Sequence, residues 1–458
     1  MYITHSSDKT VKVKDMFPMA SEQLLTSSSS LEDTEIVSVA VPDSSTHLSV
    51  TTVLNYCKSK ILRPYLRFLG FMGLRPLFGE QQDAFTGCWK FVNVLYTSFI
   101  LVILVMGYIL QYMSCFRRER GFYYVFRTSN RTLYAEYTYN YKETCDGSIA
   151  FSFILPSLLH FVAYLHIMFV FRNTDDEQLP VLMERVFLAS TTISNGFISQ
   201  RKLLKTLWLF ITSSIIWISL SFAVANYMLV HGEVHFKWIG TSVTSSILLK
   251  VLLIMCSLWH DLVQSTIVSN YCLQAQLLSS YVKFMREKLL QFPVQPLEWM
   301  RDIEDFKKLL KYFNSKISPS VCLLTIMDAS FALSGTLWMV RFYQNHKDEM
   351  DLYSFSLVNI FNVILWALIA LAPFVQAARL TNACEVLKTV GQEVRARPYV
   401  HSDTPTLELD SVLLYTTSLK INAQLFNIPV TGKTLFFGLT IGAVCILTFG
   451  QLCYFITK

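Results

Sequence analysis

The stretch TLFFGLTIGAVCILTFGQLCYFI, from Thr434 to Ile456, contains no charged side chain and lies between Lys433 and Lys458. A helix rises ~1.5 Å per residue, so about 20 apolar residues cross the ~30 Å hydrocarbon core of a bilayer. This stretch has 23 residues and is long enough to do so. It therefore predicts a transmembrane helix near the end of the chain.

The two faces of this helix differ in polarity. Hydroxyl and amide side chains recur on one face at helical spacing. Gly438 and Gly442 lie on the roughly opposite face, where small residues let another helix approach closely. These faces are typical of a pore-lining helix; the alternative is a helix in a bundle interior whose hydroxyls bond to its own carbonyls. The residues predicted to line the pore are Thr440, Val444, Leu447, Thr448, Gln451 and Leu452.

The composition extends the membrane assignment to the whole chain. Hydrophobic residues make up 52% of the sequence, charged residues make up 16%, and the mean hydropathy is +0.39. A soluble domain carries about 25% charged residues. The sequence therefore predicts an all-α polytopic membrane protein, whose net charge of +6 reflects membrane topology and not affinity for nucleic acid.

The apolar runs predict seven transmembrane helices. Two segments precede these helices. Residues 1–53 are rich in Ser, Thr and acids and are predicted to form a disordered cytoplasmic tail. Residues 54–90 are predicted to form an amphipathic segment that lies on the membrane surface or re-enters the membrane. The predicted spans are Phe91–Met113, Ile149–Phe171, Leu207–Val230, Trp238–His260, Ile317–Val340, Phe355–Val375 and Thr434–Ile456, the last lying within the predicted pore-lining segment 434–458.

The distribution of Lys and Arg predicts the orientation. These spans place 28 of the 39 basic residues on one side and 10 on the other. Cytoplasmic loops carry the excess of Lys and Arg, so the N-terminus is expected inside and the C-terminus outside, as in a multi-pass plasma membrane protein. The first outer loop then holds the glycosylation sequon at Asn130, and also Cys115 and Cys145, either as a disulfide or as two free thiols.

The inner connections are long and helical in pattern. Residues 261–316, between the fourth and fifth spans, repeat apolar side chains at three- and four-residue steps with a break at Pro293 to Pro296. They predict an amphipathic hairpin that extends those two helices into the cytoplasm. Residues 376–433, between the sixth and seventh spans, are expected to supply a cytoplasmic packing segment for the apolar face of this hairpin.

No motif of enzyme chemistry is present. The sequence has no P-loop, no GxSxG elbow, no HExxH and no GxGxxG after a strand. Its ten cysteines show no CxxC spacing, and its nine histidines form no convincing ligand set. The sequence predicts neither an enzyme nor a cofactor or metal site.

Three ionisable residues lie inside the predicted spans at about one membrane level: His160, Lys250 and Asp328. A charge at that depth is costly unless it faces a cavity or a partner. Two interpretations remain open: a water-accessible ligand pocket in which Lys250 and Asp328 pair, or a purely structural ion pair. The aromatic residues expected to line the same pocket are Trp217, Tyr227, Trp338 and Trp366.

The span number, the long inner hairpin and the pore-like last helix together resemble the insect gustatory receptor family. The segment ILRPYLRFLGFMGLRPL, from Ile61 to Leu77, is similar to the segment that leads into the first span of that family. The family's last helix carries Thr-Tyr, five hydrophobic residues and Gln-Phe; here Gln451 is kept, while Val444, Cys445 and Leu452 replace the other three. Residues 175–210 are more similar to the carbon-dioxide receptor subfamily.

This resemblance implies a ligand-gated, non-selective cation channel of four identical or related subunits in a sensory neuron membrane. The last helix of each subunit would line the pore in membrane lipid, with Gln451 near the outer gate, and a small molecule would bind among the second to sixth helices. Alternative functions are an odorant-receptor-type channel subunit and a receptor for bitter or sugar ligands. Two other classes are less favoured. A G-protein-coupled receptor needs its N-terminus outside, which the distribution of Lys and Arg opposes. A transporter usually shows related halves, and no internal repeat is apparent in this sequence.

Overall fold

The computed structural model describes residues 55, 58–77, 87–119, 124–127, 136–139, 149–173, 178–191, 196–231, 236, 243–293, 295–345, 353–395, 405–438, 440 and 442. The chain divides into two compact units, Met1–Asn55 and Tyr56–Lys458. The description below concerns the second unit. The predicted disordered tail, residues 1–53, lies outside the described residues.

Ten helices dominate the described part of the chain. Short π-helical turns at Lys58–Leu62, Ala150–Ile154 and Phe313–Ile317 lead into three of them. The helices are α1 Arg63–Phe71, α2 Gly87–Ser114, α3 Leu155–Asn173, α4 Gln178–Thr191, α5 Gly196–His231, α6 Val243–Gln291, α7 Pro296–Tyr312, α8 Ser318–Asn345, α9 Tyr353–Arg395 and α10 Thr406–Ser418.

Two small antiparallel hairpins accompany the helices, and the sequence did not predict them. Strands β1 Tyr124–Arg127 and β2 Glu136–Tyr139 form one, with Tyr124 opposite Tyr139. Strands β3 Gln424–Leu425 and β4 Ile428–Pro429 form the other.

Six described helices are long and apolar enough to cross a membrane. They correspond in order to the first six predicted spans, and each contains an apolar stretch of 18 residues. The helices extend over Phe91–Ser114, Ala150–Asn173, Gln200–Val230, Thr244–Gln291, Pro296–Val340 and Leu357–Arg395. The seventh predicted span is described only at its beginning, where residues 432–438, 440 and 442 are helical.

The amphipathic segment before the first span packs into this bundle. Leu69, Met72 and Leu74 are fully buried. The chain reverses at Gly73, whose φ of 74° lies in the left-handed region that glycine adopts without strain. Tyr164 of α3 donates a hydrogen bond to the Met72 carbonyl at 3.1 Å, which fixes the turn against α3.

Helix α6 is the central element of the bundle. It runs for 49 residues without a break and packs against α9, α5, α4 and α2. The first helix of the hairpin predicted for residues 261–316 is therefore the continuation of α6, which does not end at Asp261. The Asp261 carboxylate is fully buried among the helices.

Beyond the bundle, the second half of α6 packs with α4, α7, the end of α9 and α10. This region, residues 270–317, 376–395 and 405–430, is called the hairpin region below. Trp299, Ile303 and Phe306 of α7 are buried in it at three- and four-residue steps, as expected for an amphipathic helix. Trp299 donates its indole N–H to the Thr416 hydroxyl of α10 at 3.1 Å.

The β3–β4 hairpin is held between α8 and α9. Its turn residues Phe426 and Asn427 have φ of 55° and 59°, the conformation of a two-residue type I′ turn. Asn314 donates to the Asn422 carbonyl at 3.0 Å and accepts from the Gln424 amide at 3.1 Å. The predicted packing segment 376–433 thus comprises the end of α9, α10 and this hairpin.

Candidate functional site

The site begins where α2 ends. The amide of Phe116 bonds to the Gln111 carbonyl at 3.0 Å, and the amide of Cys115 bonds to the Tyr112 carbonyl at 3.2 Å. With Cys115 at a φ of 54°, this is the Schellman pattern that reverses a chain at a helix end. It turns residues 117–119 back against the other helices.

Residues Arg118 and Glu119 are held inside the bundle by their backbone. Asn362 of α9 donates its side-chain amide to both of their carbonyls, at 2.9 and 3.3 Å. Gly335 of α8 leaves the room for this approach, since a Cβ there would lie 2.9 Å from the Glu119 carbonyl oxygen. The Arg118 side chain therefore enters the bundle from a segment that looks like a loop in the sequence.

Arg118 forms a buried ion pair with Asp261 of α6, and the two side chains are 9% and 1% exposed. Ser221 of α5 donates to the second carboxylate oxygen at 2.9 Å. The guanidinium also donates to the Ser257 carbonyl at 3.3 Å and lies 5.3 Å from the centre of the Trp366 ring. A buried pair of charges is tolerated only when further polar groups satisfy it, and these contacts do so.

Two histidines lie beside this ion pair. His260 Nε2 is 3.1 Å from the Leu104 carbonyl, and its Nδ1 is 3.4 Å from the Gln111 amide nitrogen. The carbonyl only accepts, so His260 carries its proton on Nε2 and accepts at Nδ1. Its ring stacks on Tyr108 at 4.5 Å. Gly107 permits this approach, because a Cβ there would lie 2.6 Å from His260.

Tyr108 links His260 to His160 of α3, with its hydroxyl 2.6 Å from His160 Nδ1. The other ring nitrogen of His160, Nε2, is buried and has no hydrogen-bond partner among the described residues. His160 is only 3% exposed. A buried polar atom without a partner is uncommon in proteins and marks a place where water or a ligand binds.

These residues line a cavity of about 40 Å³, measured as the space open to the centre of a water-sized sphere. About 10–15 Å³ of such space holds one water, so the cavity accommodates a few atoms. Both apolar and polar side chains converge on it. Its lining includes Tyr108, Gln111, Phe116, Arg117, Arg118, Glu119, Phe153, Pro156, His160, His260, Gln264, Met327, Phe331 and Trp366.

Asp328 joins the same network through α6. Gln264 donates to one oxygen of its carboxylate at 2.6 Å, whereas the other oxygen is buried without a partner. Lys250 is half-buried and makes no ion pair or hydrogen bond within the described part of the chain. The structure does not bring Lys250 and Asp328 together. The bundle instead contains the ion pair Arg118–Asp261. The chain reverses after α2 and places the Arg118 side chain between the helices, although the sequence had located this residue in a loop.

The predicted pocket aromatics divide into three groups. Trp366 lines the cavity and is 2% exposed. Trp217 lies behind it, 6.0 Å away between ring centres, and donates its indole N–H to the Leu365 carbonyl at 3.1 Å. Tyr227 and Trp338 are half-buried outside the lining of this cavity. Of the ionisable residues predicted for the pocket, His160 alone lines it.

Thr440 is the single predicted pore residue inside the described range. Its hydroxyl donates to the Phe436 carbonyl one turn earlier, at 2.9 Å. A Cβ at Gly438 or Gly442 would meet nothing within 4 Å, so this face has no neighbour within the described chain. The other predicted pore residues, Val444, Leu447, Thr448, Gln451 and Leu452, lie outside the described residues.

Asn130 and Cys145, the predicted glycosylation and disulfide positions, also lie outside the described residues. Cys115 is disulfide-bonded. Its pairing with Cys145 stays a prediction.

Together, the fold and the cavity define a polytopic helical membrane protein with a small cavity lined by polar and apolar side chains of several of its spans. No family model matches the sequence, and no curated protein matches it.

Solved structures with the same fold do exist. The chain is similar to the olfactory receptor OR5 of the insect Machilis hrabei in complex with eugenol, with a TM-score of 0.57 and 11% identity over 86% of this chain and 98% of that one. For a second structure of OR5 the TM-score is 0.58, with 10% identity over 85% and 97% of the two chains. The chain therefore has the fold of an insect olfactory receptor.

Proposed function

We propose that this chain is a subunit of an insect chemoreceptor channel, in which a small molecule bound inside the bundle controls the passage of cations. The observation that carries this proposal is the likeness to OR5, which extends over almost the whole of that receptor. The structure of OR5 with eugenol supports small-molecule binding by this architecture. The cavity around His160 is the candidate site for such a molecule in this chain.

The size of the cavity favours a ligand of few atoms. Its volume of about 40 Å³ holds roughly three waters, and a linear three-atom molecule such as carbon dioxide fits that space. The unpartnered His160 Nε2 and the Arg118 guanidinium offer polar contacts to it. Together with the resemblance of residues 175–210 to carbon-dioxide receptors, this supports a gustatory receptor for carbon dioxide.

An odorant-receptor-type subunit is the second candidate, because the fold similarity is to an olfactory receptor. A larger odorant, or a bitter or sugar ligand, requires the cavity to widen by rotation of side chains such as Phe331 and Phe153, which line it. The two candidates differ in the size of the ligand that activates the channel.

The start of the last helix supports assembly of several subunits. Phe436 and Phe437 are 74% and 67% exposed in the single chain, and the Gly438–Gly442 face is open. In the proposed homo- or hetero-tetramer these surfaces meet lipid and neighbouring subunits, and Gln451 and the stripe beginning at Thr440 line the pore. In this proposal the chain lies in the plasma membrane of a sensory neuron, with its N-terminus in the cytoplasm and Asn130 outside the cell.

Current recordings test the proposal. The chain is expressed alone, and with a related subunit, in cells that lack chemoreceptors, and membrane current is measured with G-protein signalling blocked. We expect a cation current on addition of carbon dioxide or of a small odorant panel that includes eugenol. A chain that reaches the surface in both settings yet carries no current with any ligand contradicts the channel proposal.

A matched pair of variants tests the pocket. His160→Phe removes the unpartnered nitrogen from the cavity, and we expect the half-maximal ligand concentration to rise about tenfold, the loss of one or two hydrogen bonds. The control is His166→Phe on the same helix, whose ring nitrogen bonds to Ser320 at 2.6 Å, away from the cavity. Equal shifts for the two variants show that His160 has no special contact with ligand.

A further inference from the structure

A second cavity lies in the hairpin region, between α6 and α9, and neither the fold nor the proposed channel function accounts for it. Its volume is about 250 Å³ on the same measure, several times that of the cavity in the bundle. Val282 and Ala383 form a buried apolar floor. The rim is polar, and three of its side chains are cations: Lys283, Arg286 and Arg379.

One of the three rim cations, Arg286, has an acidic partner, and the other two form no ion pair within the described residues. Arg286 is held in place by Glu393 through two hydrogen bonds of 2.7 and 2.6 Å. Lys283 and Arg379 make no ion pair or hydrogen bond within the described residues. The rim contributes a single acid of its own, Glu287.

The positive charges are also close enough to repel one another. Lys283 interacts unfavourably with Arg379 across the cavity and with Lys202 at the start of α5, and favourably with Glu287. Lys283 and Arg379 are exposed, so water and salt screen their repulsion in part, and a bound anion removes what remains of it. The arrangement therefore favours an anionic ligand over an empty cavity.

The position of this cavity indicates where the anion comes from. Arg379 follows the predicted span that ends at Val375, and Lys202 precedes the predicted span that begins at Leu207. Both cations lie at the same end of the bundle, where spans meet the hairpin region. Basic pockets on the inner side of a helix bundle bind the phosphorylated headgroups of anionic lipids.

We propose that the cavity between α6 and α9 is a binding site for a multiply charged phosphate group, with Lys283 and Arg379 as its main ligands and Arg286 as a third. The phosphorylated inositol headgroup of a membrane lipid and a free inositol phosphate share this chemistry. The residues of this site are distinct from those that line the cavity at His160.

Binding is measured on the purified full-length chain in detergent, by the shift of its thermal melting midpoint. Three probes are titrated: dioctanoyl phosphatidylinositol bisphosphate, inositol trisphosphate, and dioctanoyl phosphatidylcholine as the uncharged control. We expect a saturable rise with at least one phosphate probe and none with the choline lipid. A lipid that binds at least tenfold tighter than the free headgroup assigns the site to the membrane, and equal binding assigns it to a soluble phosphate.

Charge variants locate the site. The double variant Lys283→Gln with Arg379→Gln is expected to weaken binding about thirtyfold, since each basic residue near a phosphate surface contributes about fivefold. The control Lys308→Gln with Lys311→Gln removes the same charge from exposed positions of α7 and is expected to change binding less than threefold. Glu287→Gln removes the one acid of the rim, so it strengthens binding even if the double variant fails to fold.

Two results overturn the proposal. One is the absence of a saturable melting shift with either phosphate probe. The other is an equal loss of binding in the two double variants, which would show that only the overall charge of the chain matters.

Discussion

The bundle and the hairpin region differ in where their apolar and charged side chains lie, although Leu297, Leu407 and Leu414 of the hairpin region are also 82%, 82% and 73% exposed. In the bundle, only 22% of the most apolar 18-residue stretch of α2 is buried, and the same share holds for α5. Large apolar side chains such as Phe91 and Leu248 are 67% and 68% exposed. The groups buried there include Arg118, Asp261 and Asp328. In the hairpin region, Ile303 and Phe306 are fully buried.

The charges of the hairpin region lie on its surface. Arg395 and Asp410 form an ion pair 2.9 Å long with side chains 68% and 64% exposed. This difference shows that the two regions are folded for different surroundings. Apolar side chains face outward where the surroundings are lipid, so polar contacts hold the interior of the bundle. Buried apolar side chains such as Ile303 and Phe306 hold the hairpin region through the hydrophobic effect.

Breaking an ion pair in each region gives the largest expected contrast. Asp261→Ala leaves the Arg118 guanidinium buried without its counter-charge, and we expect a loss of about 3–5 kcal/mol in stability. Thermal melting of the purified chain and its level at the cell surface measure this loss.

The matched variant in the hairpin region is Asp410→Ala. The Arg395–Asp410 pair is exposed, so its loss is expected to cost below about 1 kcal/mol. Similar melting shifts for the two variants would contradict the assignment of polar contacts as the main support of the bundle.

Truncating an aliphatic side chain in each region gives the next contrast. Ile303→Ala creates a cavity in the core of the hairpin region and is expected to cost about 3 kcal/mol. Leu248→Ala removes a side chain that faces outward from α6, and we expect below about 0.5 kcal/mol. If Leu248→Ala destabilises the chain as much as Ile303→Ala, this face of α6 packs against another subunit and not against lipid.

The smallest expected difference between two paired variants comes from a hydrogen bond inside the hairpin region. Thr416→Val leaves the Trp299 indole N–H buried without an acceptor and is expected to cost about 1–2 kcal/mol. Thr417→Val is the control, because the Thr417 hydroxyl bonds only to the carbonyl of Leu414 and the residue is exposed. A melting midpoint that is the same for both variants would show that water replaces the Thr416 hydroxyl.

Local pattern was sufficient to predict much of the fold. Apolar runs located six spans, and the three- and four-residue steps from Trp299 to Phe306 located a helix with one buried face. Both signals lie within a single segment of chain. The helix caps and turns were less accessible: the left-handed residues Cys115 and Phe426 are not glycine, so nothing in their type marks the reversals that they make.

The candidate site was harder to predict, because its partners are far apart in sequence. Arg118 and Asp261 are 143 residues apart, and each follows an apolar run, where a charge normally meets water. Lys250 and Asp328 were singled out because they interrupt apolar runs. However, the rotation of α6 leaves Lys250 only half-buried while it points Gln264 at Asp328. Sequence spacing gives the period of a helix but not the face that meets a particular neighbour.

The unbroken length of α6 has a mechanical consequence. Its 49 residues span ~74 Å at 1.5 Å per residue, and the turn that carries His260 lies ~35 Å along the axis from the turn that carries Lys283. A helix is stiff along its axis, because shortening it strains a whole column of backbone hydrogen bonds. A shift of α6 along its axis at the bundle cavity would therefore also move its residues at the basic cavity, so one rigid element connects the two cavities.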